Sequence, residues 1–179
     1  MKITISGPPG SGTTSAAKIV AQKLGLKLIS AGEIFRQLAA KKGMTLEEFS
    51  QYAEENPEID RLIDQTQKEM AEKERDAVVE GRLSGWFVKD ADLKVWIFAE
   101  PEIRYSRIAK REGKDLAAVR HDTKLREELE KRRYWKFYSI DIDNWTIYDL
   151  VINSGSFDAD GVADLIIKAA ELKIKVDQR

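Results

Sequence analysis

Residues 7–14 read Gly-Pro-Pro-Gly-Ser-Gly-Thr-Thr, a spacing suited to holding phosphate. In the frame G-x-x-x-x-G-K-[ST], Gly7, Gly12 and Thr14 stand in place, and Thr13 occupies the lysine position. Glycines let the chain curl until successive N–H groups face one concavity, and a helix starting near Thr13 adds its positive end. The candidate phosphate contacts are Gly7, Pro8, Pro9, Gly10, Ser11, Gly12, Thr13, Thr14 and Ser15, with the Thr14 hydroxyl facing Mg²⁺. A glycine-rich turn without lysine is also compatible with a purely structural bend. The apolar Ile3-Thr4-Ile5 before it and the helical run Ala16, Ala17, Ile19, Val20, Leu24 after it favour phosphate binding.

A second group of residues is cationic. Arg36, Arg82, Arg107, Lys110, Arg111, Arg126 and Arg133 lie near expected strand ends or on two charged helices. A lone surface arginine is usually just solvated. Several converging on one edge supply the bidentate contacts and positive charge that phosphoryl transfer requires. Arginines beyond those serving one phosphate loop suggest two phosphorylated ligands. Glu80, at the end of a short apolar run, is placed to hold a Mg²⁺-bound water, or else to pair with Arg82. Asp60, Asp64 and Gln67 share one helix face, suited either to reading an amino-pyrimidine or to solvent. Tyr134, Trp135, Phe137 and Tyr138 are read as packing against the sheet, and Asp141 and Asp143 as turn residues.

The elements that must carry these residues alternate strand with helix. Strands are expected at 2–6, 26–29, 77–80, 93–98 and 148–153. Helices are expected at 13–24, 31–42, 46–54, 58–73, 101–113, 115–138 and 158–175. Ser30 with Glu33, and Thr45 with Glu48, carry the capping-box signature. Such alternation predicts an α/β fold with a parallel sheet covered on both faces and ligands at the carboxyl edge of the strands. One domain is expected, with a core of 1–30, 76–111 and 141–179. Helical excursions at about 31–75 and 112–140 are candidates for mobile lids.

Bulk properties narrow the classes. The chain has 179 residues, net charge −1, no cysteine and a single histidine. There is no global basic field for nucleic acid, no thiolate metal site and no disulfide. No run of about 18 apolar residues exists to span a membrane, so a cytoplasmic, soluble protein acting as a monomer is expected. The 34% of charged residues, rich in Lys and Glu, leans towards a thermophile.

With these residues in view, the chain resembles nucleoside monophosphate kinases, specifically the archaeal-type cytidylate kinases. The resemblance covers nearly the whole chain. It rests on Gly7–Thr14, Ile29–Arg36, Val79–Trp86, Arg107–Arg111 and Arg126–Tyr134. It implies a P-loop NTPase three-layer fold, with a five-stranded parallel sheet and helical monophosphate-binding and lid segments. The implied reaction transfers the γ-phosphoryl of MgATP to CMP or dCMP.

By this resemblance Ser30, Arg36, Gly81, Arg82 and Glu130 belong to the monophosphate site, and Ser84 or the face of Asp64 is left to read the base. Arg107 lies on the adenine of ATP. Arg82, Arg111, Arg126 and Arg133 serve the phosphoryl groups, and Thr14 with Glu80 (through water) serves Mg²⁺. Bacterial relatives carry an aspartate where this chain has Leu83, and the acid of the Arg-x-x-x-Asp-x-x-Arg element is here Glu130. The absent loop lysine is shared with archaeal-type members. A kinase for AMP or UMP is the sister reading. A nucleotide-binding switch is the reading from another class, and it would need no second arginine set.

Overall fold

The computed structural model describes residues 1–177, with side chains through Lys173. Among the described residues, β1 (Lys2–Ser6), β2 (Lys27–Ser30), β3 (Ala77–Glu80), β4 (Leu93–Phe98) and β5 (Leu150–Asn153) form one sheet, every pair parallel, in the order β2-β3-β1-β4-β5. Side chains alternate across the sheet. Ile3, Ile5 and Val78 join α1 (Thr13–Leu24) and α8 (Ala159–Asp177) in one apolar cluster, whereas Ala77 and Val79 face α4 (Glu58–Lys73) on the other side. This parity aims Glu80 at the start of α1. The register sets it beside Ser30 on β2 and Ile5 on β1.

Helices α2 (Ala31–Lys41), α3 (Leu46–Glu55) and α4 make an arm with its own small core of Ile34, Ala39, Phe49, Ile59 and Ile63. Beyond β4, α6 (Pro101–Glu112) starts with proline at its first position and ends on Gly113 in the left-handed conformation. It leads into α7 (Leu116–Tyr138), capped by the Asp115 side chain. Few apolar side chains of α7 are buried; its buried residues include Thr123 and Glu130. Charged contacts therefore do much of the docking of this helix.

Strand and helix positions agree with expectation to within a few residues, with three departures. The four-residue α5 (Ser84–Phe87) is absent from the sequence pattern because one turn is too short to show periodicity. A 3₁₀ turn at Trp145–Ile147 delays β5, which begins at Leu150. Ser30 does not cap α2: its hydroxyl donates to Glu80 (2.7 Å) instead, and Glu33 binds Arg36. The Thr45–Glu48 capping box forms in full.

Candidate active site

The loop after β1 and the end of β3 form a cluster of oxygens. Glu80 accepts from Thr13 Oγ1 (2.9 Å), Thr14 Oγ1 (3.2 Å) and Ser30 Oγ (2.7 Å). Its backbone carbonyl accepts from Gln67 Nε2 (2.7 Å). Among the described residues no side chain caps the N-terminus of α1, whose first N–H groups are left for a ligand. Thr13, in the lysine position, is thus spent on orienting Glu80. On the outer side of the loop, Arg107 donates to the Ser154 hydroxyl (3.0 Å) and carbonyl (2.7 Å) and to the Gly10 carbonyl (3.4 Å).

A second cluster faces the loop. Arg82 is half of a buried ion pair with Glu130 on α7 (3.0 Å) and donates to the Gly7 carbonyl of the loop. Arg126 binds the other oxygen of Glu130 (2.8 Å). Burial would raise the Glu130 carboxyl, but Arg82 and Arg126 outweigh it and hold the group below the usual carboxylate range. One α7 turn further on, Arg133 pairs with Asp60 of α4 (2.8 Å). Among the described residues nothing accepts from the buried Nε of Arg133.

Asp64, one turn beyond Asp60, accepts from Tyr138 Oη (3.0 Å), and Arg61 between them lies over the Phe137 ring at 3.9 Å. Three consecutive ties thus close the α2–α4 arm onto the end of α7. Burial pushes the Asp64 carboxyl up to about 7, against the lowering effect of the Tyr138 bond.

Ser84, Gln67 and the aromatic cluster stand otherwise than expected, while Arg36 and Arg111 are held by acids of their own helices. Ser84 is fully buried and turned into the protein, bonded to Ser6 Oγ (2.9 Å) and the Gly81 carbonyl (3.1 Å), so it presents no group to a base. Gln67 is likewise buried under the Glu80–Gly81 backbone, and Gly81 packs against its amide. Arg36 is exposed and tied to Glu33 on its own helix (2.7 Å), apart from Arg82 and Arg133. Arg111 points to solvent beside Glu112 (3.0 Å). The aromatic cluster ending α7 packs on the arm and α5 rather than on the sheet: Tyr138 meets Phe87 edge-on, and Trp135 is exposed.

Arg104 escaped the sequence reading, since its place in α6 looks like that of its basic neighbours. It is buried and pairs with Glu127 of α7. Between α7 and the end of β4 lies a cavity of about 470 Å³, lined among others by Pro8, Pro9, Trp96, Phe98, Tyr134 and Trp145.

Comparison with known proteins adds to this geometry. The model of the cytidylate kinase-like family matches residues 2–156. The chain is 84% identical over 180 residues to a cytidylate kinase of Archaeoglobus fulgidus, covering all of both chains. It is 50% identical over 168 residues to a cytidylate kinase of Pyrococcus horikoshii, covering 94% of this chain and 86% of that one. Among solved structures, a shikimate kinase from Bacteroides thetaiotaomicron superimposes with a TM-score of 0.62 at 16% identity, covering 96% of this chain and 97% of that one. An uncharacterized protein from Eubacterium ventriosum does so with a TM-score of 0.71 at 21% identity, covering 96% and 98%.

Proposed function

The chain belongs to the cytidylate kinase-like family, and from that premise we propose that it transfers the γ-phosphoryl group of ATP to CMP, giving ADP and CDP. The observation that carries this reading is the opposition of two sites on one sheet edge. One is the loop with its uncapped helix end; the other is the arginine cluster of Arg82, Arg126 and Arg133. Phosphoryl transfer asks the protein for positioning and positive charge rather than covalent chemistry, and this arrangement supplies both.

The loop N–H groups hold the β- and γ-phosphates, and Arg107 borders the adenine. Arg82 and Arg126, which share the single negative charge of Glu130, turn their remaining N–H groups to the acceptor phosphate. Arg133, with its unpartnered Nε, exchanges Asp60 for a phosphoryl oxygen. Arg36 reaches the same phosphate once it leaves Glu33, and Arg111 arrives only with a movement of the lid. The all-oxygen donors Thr14 and Glu80 fit Mg²⁺, Thr14 directly and Glu80 through a water. When bound, that ion neutralises charge on the donor phosphates.

Asp64 is our candidate for reading the amino group of cytosine, by analogy with the carboxylate that accepts from C N4. The acceptor is CMP or dCMP.

A coupled assay of ADP release, with MgATP and CMP, dCMP, UMP or AMP, tests the reading. The expected result is turnover with CMP and dCMP well above the others. No ADP with CMP overturns the kinase assignment, and faster turnover with AMP or UMP overturns the base.

Asp64→Asn tests the base-reading role and a pH effect together. A folded-state carboxyl raised from 3.8 to about 7 binds a proton that the unfolded chain has released. Its contribution to stability is therefore full below about 4 and lost as pH rises through about 7. The wild-type Tm should fall between pH 5 and pH 8 relative to that of Asp64→Asn, by a few degrees. The variant should also lose discrimination of CMP from UMP. Parallel Tm profiles would mean that Asp64 is not the titrating group.

A further inference from the structure

Five consecutive carbonyls of the phosphate loop are each held by a side chain, four of them by residues outside the loop. Arg82 takes that of Gly7, Ser11 Oγ that of Pro8 (2.7 Å) and Arg104 that of Pro9 (2.9 Å). Arg107 takes that of Gly10 (3.4 Å), and Ser154 Oγ that of Ser11 (2.6 Å). In a trans peptide, C=O and N–H point in opposite directions, and the described chain has no cis bond. Pro8 and Pro9 carry no N–H, and that of Ser11 returns to the Pro8 carbonyl (3.2 Å), so the N–H groups turned away from a held carbonyl and towards the inside of the loop, where phosphate binds, are those of Gly10 and Gly12.

Arg104 stands apart in this set because it touches three bodies at once. Its Nε donates to the Ala99 carbonyl at the end of β4 (3.1 Å), its Nη1 donates to Pro9, and Nη1 also pairs with Glu127 of α7. Its own backbone carbonyl abuts Gly10, leaving no room for a Cβ there. The loop tip is thus held by both the main chain and the side chain of one buried residue.

We infer that Arg104 is a positioning residue for the donor nucleotide. It fixes the Pro9–Gly10 peptide with its N–H inward, and through Glu127 it makes that orientation depend on the seating of α7. In a loop whose lysine is replaced by Thr13, phosphate affinity rests more heavily on the alignment of backbone N–H groups, and Arg104 maintains it from behind. The inference rests on the kinase reading only in naming ATP as the donor.

The test measures ATP binding calorimetrically without acceptor, together with KM for each substrate, for the full chain and for Arg104→Gln, Arg104→Lys and Glu127→Gln. Arg104→Gln should weaken ATP binding about tenfold or more, the scale of one charge-assisted hydrogen bond. The KM for CMP at saturating ATP should stay within about twofold, because Arg104 touches no proposed acceptor group. Glu127→Gln should give a smaller loss of ATP binding, and the double variant should be no worse than Arg104→Gln alone.

A merely structural role predicts a lowered Tm with ATP binding intact well below it, and that result overturns the inference. Equal losses for ATP and CMP overturn it as well. If Arg104→Gln does not fold, Arg104→Lys decides. It keeps the charge opposite Glu127 but cannot serve all three acceptors. ATP binding weakened about threefold or more supports the inference, and unchanged binding rejects it. A wild-type chain that binds ATP but does not phosphorylate CMP defeats the proposed function and leaves this test standing.

Discussion

Arg82→Ala should lower kcat/KM for CMP by about a hundredfold and weaken ATP binding as well, with a stability loss of about 3 kcal/mol. A residue that touched only the acceptor phosphate would spare ATP. Arg82 also donates to the Gly7 carbonyl, so its loss frees the start of the phosphate loop. The stability loss has a separate origin. Glu130 is buried and held ionised against desolvation by Arg82 and Arg126 together. Removing Arg82 leaves that carboxylate with the more exposed of its two partners, so the cost falls at the low end of the range for broken buried pairs.

The double variant Arg82→Ala, Glu130→Gln separates the two effects. It should recover stability in denaturant unfolding, because the under-compensated buried charge is gone, and it should recover no activity. A single variant with wild-type unfolding and unchanged CMP saturation would remove Arg82 from both roles.

The second large effect is expected at Gly10. Its φ is +78°, and a Cβ built there would stand 2.6 Å from the Arg104 carbonyl oxygen. Gly10→Ala therefore meets left-handed strain of roughly 1–2 kcal/mol and a backbone collision that no rotamer change relieves. The loop must move, and the N–H groups move with it, so ATP binding should fall by about a hundredfold while the Tm drops only modestly. Gly12→Ala is the internal control. Its φ is +92°, but nothing lies within 4 Å of an added Cβ, so it carries the strain without the collision. Its loss in ATP titrations should be clearly smaller. Equal losses for the two variants would show that backbone strain alone, and not the packing against α6, governs the loop.

These expectations draw unequally on sequence and structure. The strand, loop and helix around residues 2–24 are legible because every determinant is local. So is the capping of α3, where Thr45 and Glu48 satisfy each other within one turn. Ser30 with Glu33 carries the same signature and behaves differently. β3 brings a carboxylate to Ser30 from 50 positions along the chain, and that partner outcompetes a helix N–H.

Long-range partners also explain why Arg104 is not legible in the sequence. Nothing in the run from Arg104 to Arg111 says which basic side chain turns inward; the packing of α6 against the loop decides it. Ser84 follows the Gly-Arg pair and invites a ligand role, yet the one-turn helix α5 turns its hydroxyl towards β1. The Asp60–Asp64 face has partners that could not be read from its spacing, because Arg133 and Tyr138 arrive from the far end of α7.

That helix has a thermodynamic consequence. On one rigid rod of 23 residues, Glu127 reaches Arg104 and through it the phosphate loop, Glu130 reaches Arg82, and Arg133 reaches the arm through Asp60. Whatever the acceptor does to Arg133 and Arg82 is delivered through the same rod to the donor's loop. The two substrates should accordingly bind with a shared coupling free energy. Linkage then requires that CMP change the affinity for a non-transferable ATP analogue by the same factor as the analogue changes the affinity for CMP. In an enzyme that must avoid spending ATP on water, such reciprocity would keep the donor site incompletely set until the acceptor is seated.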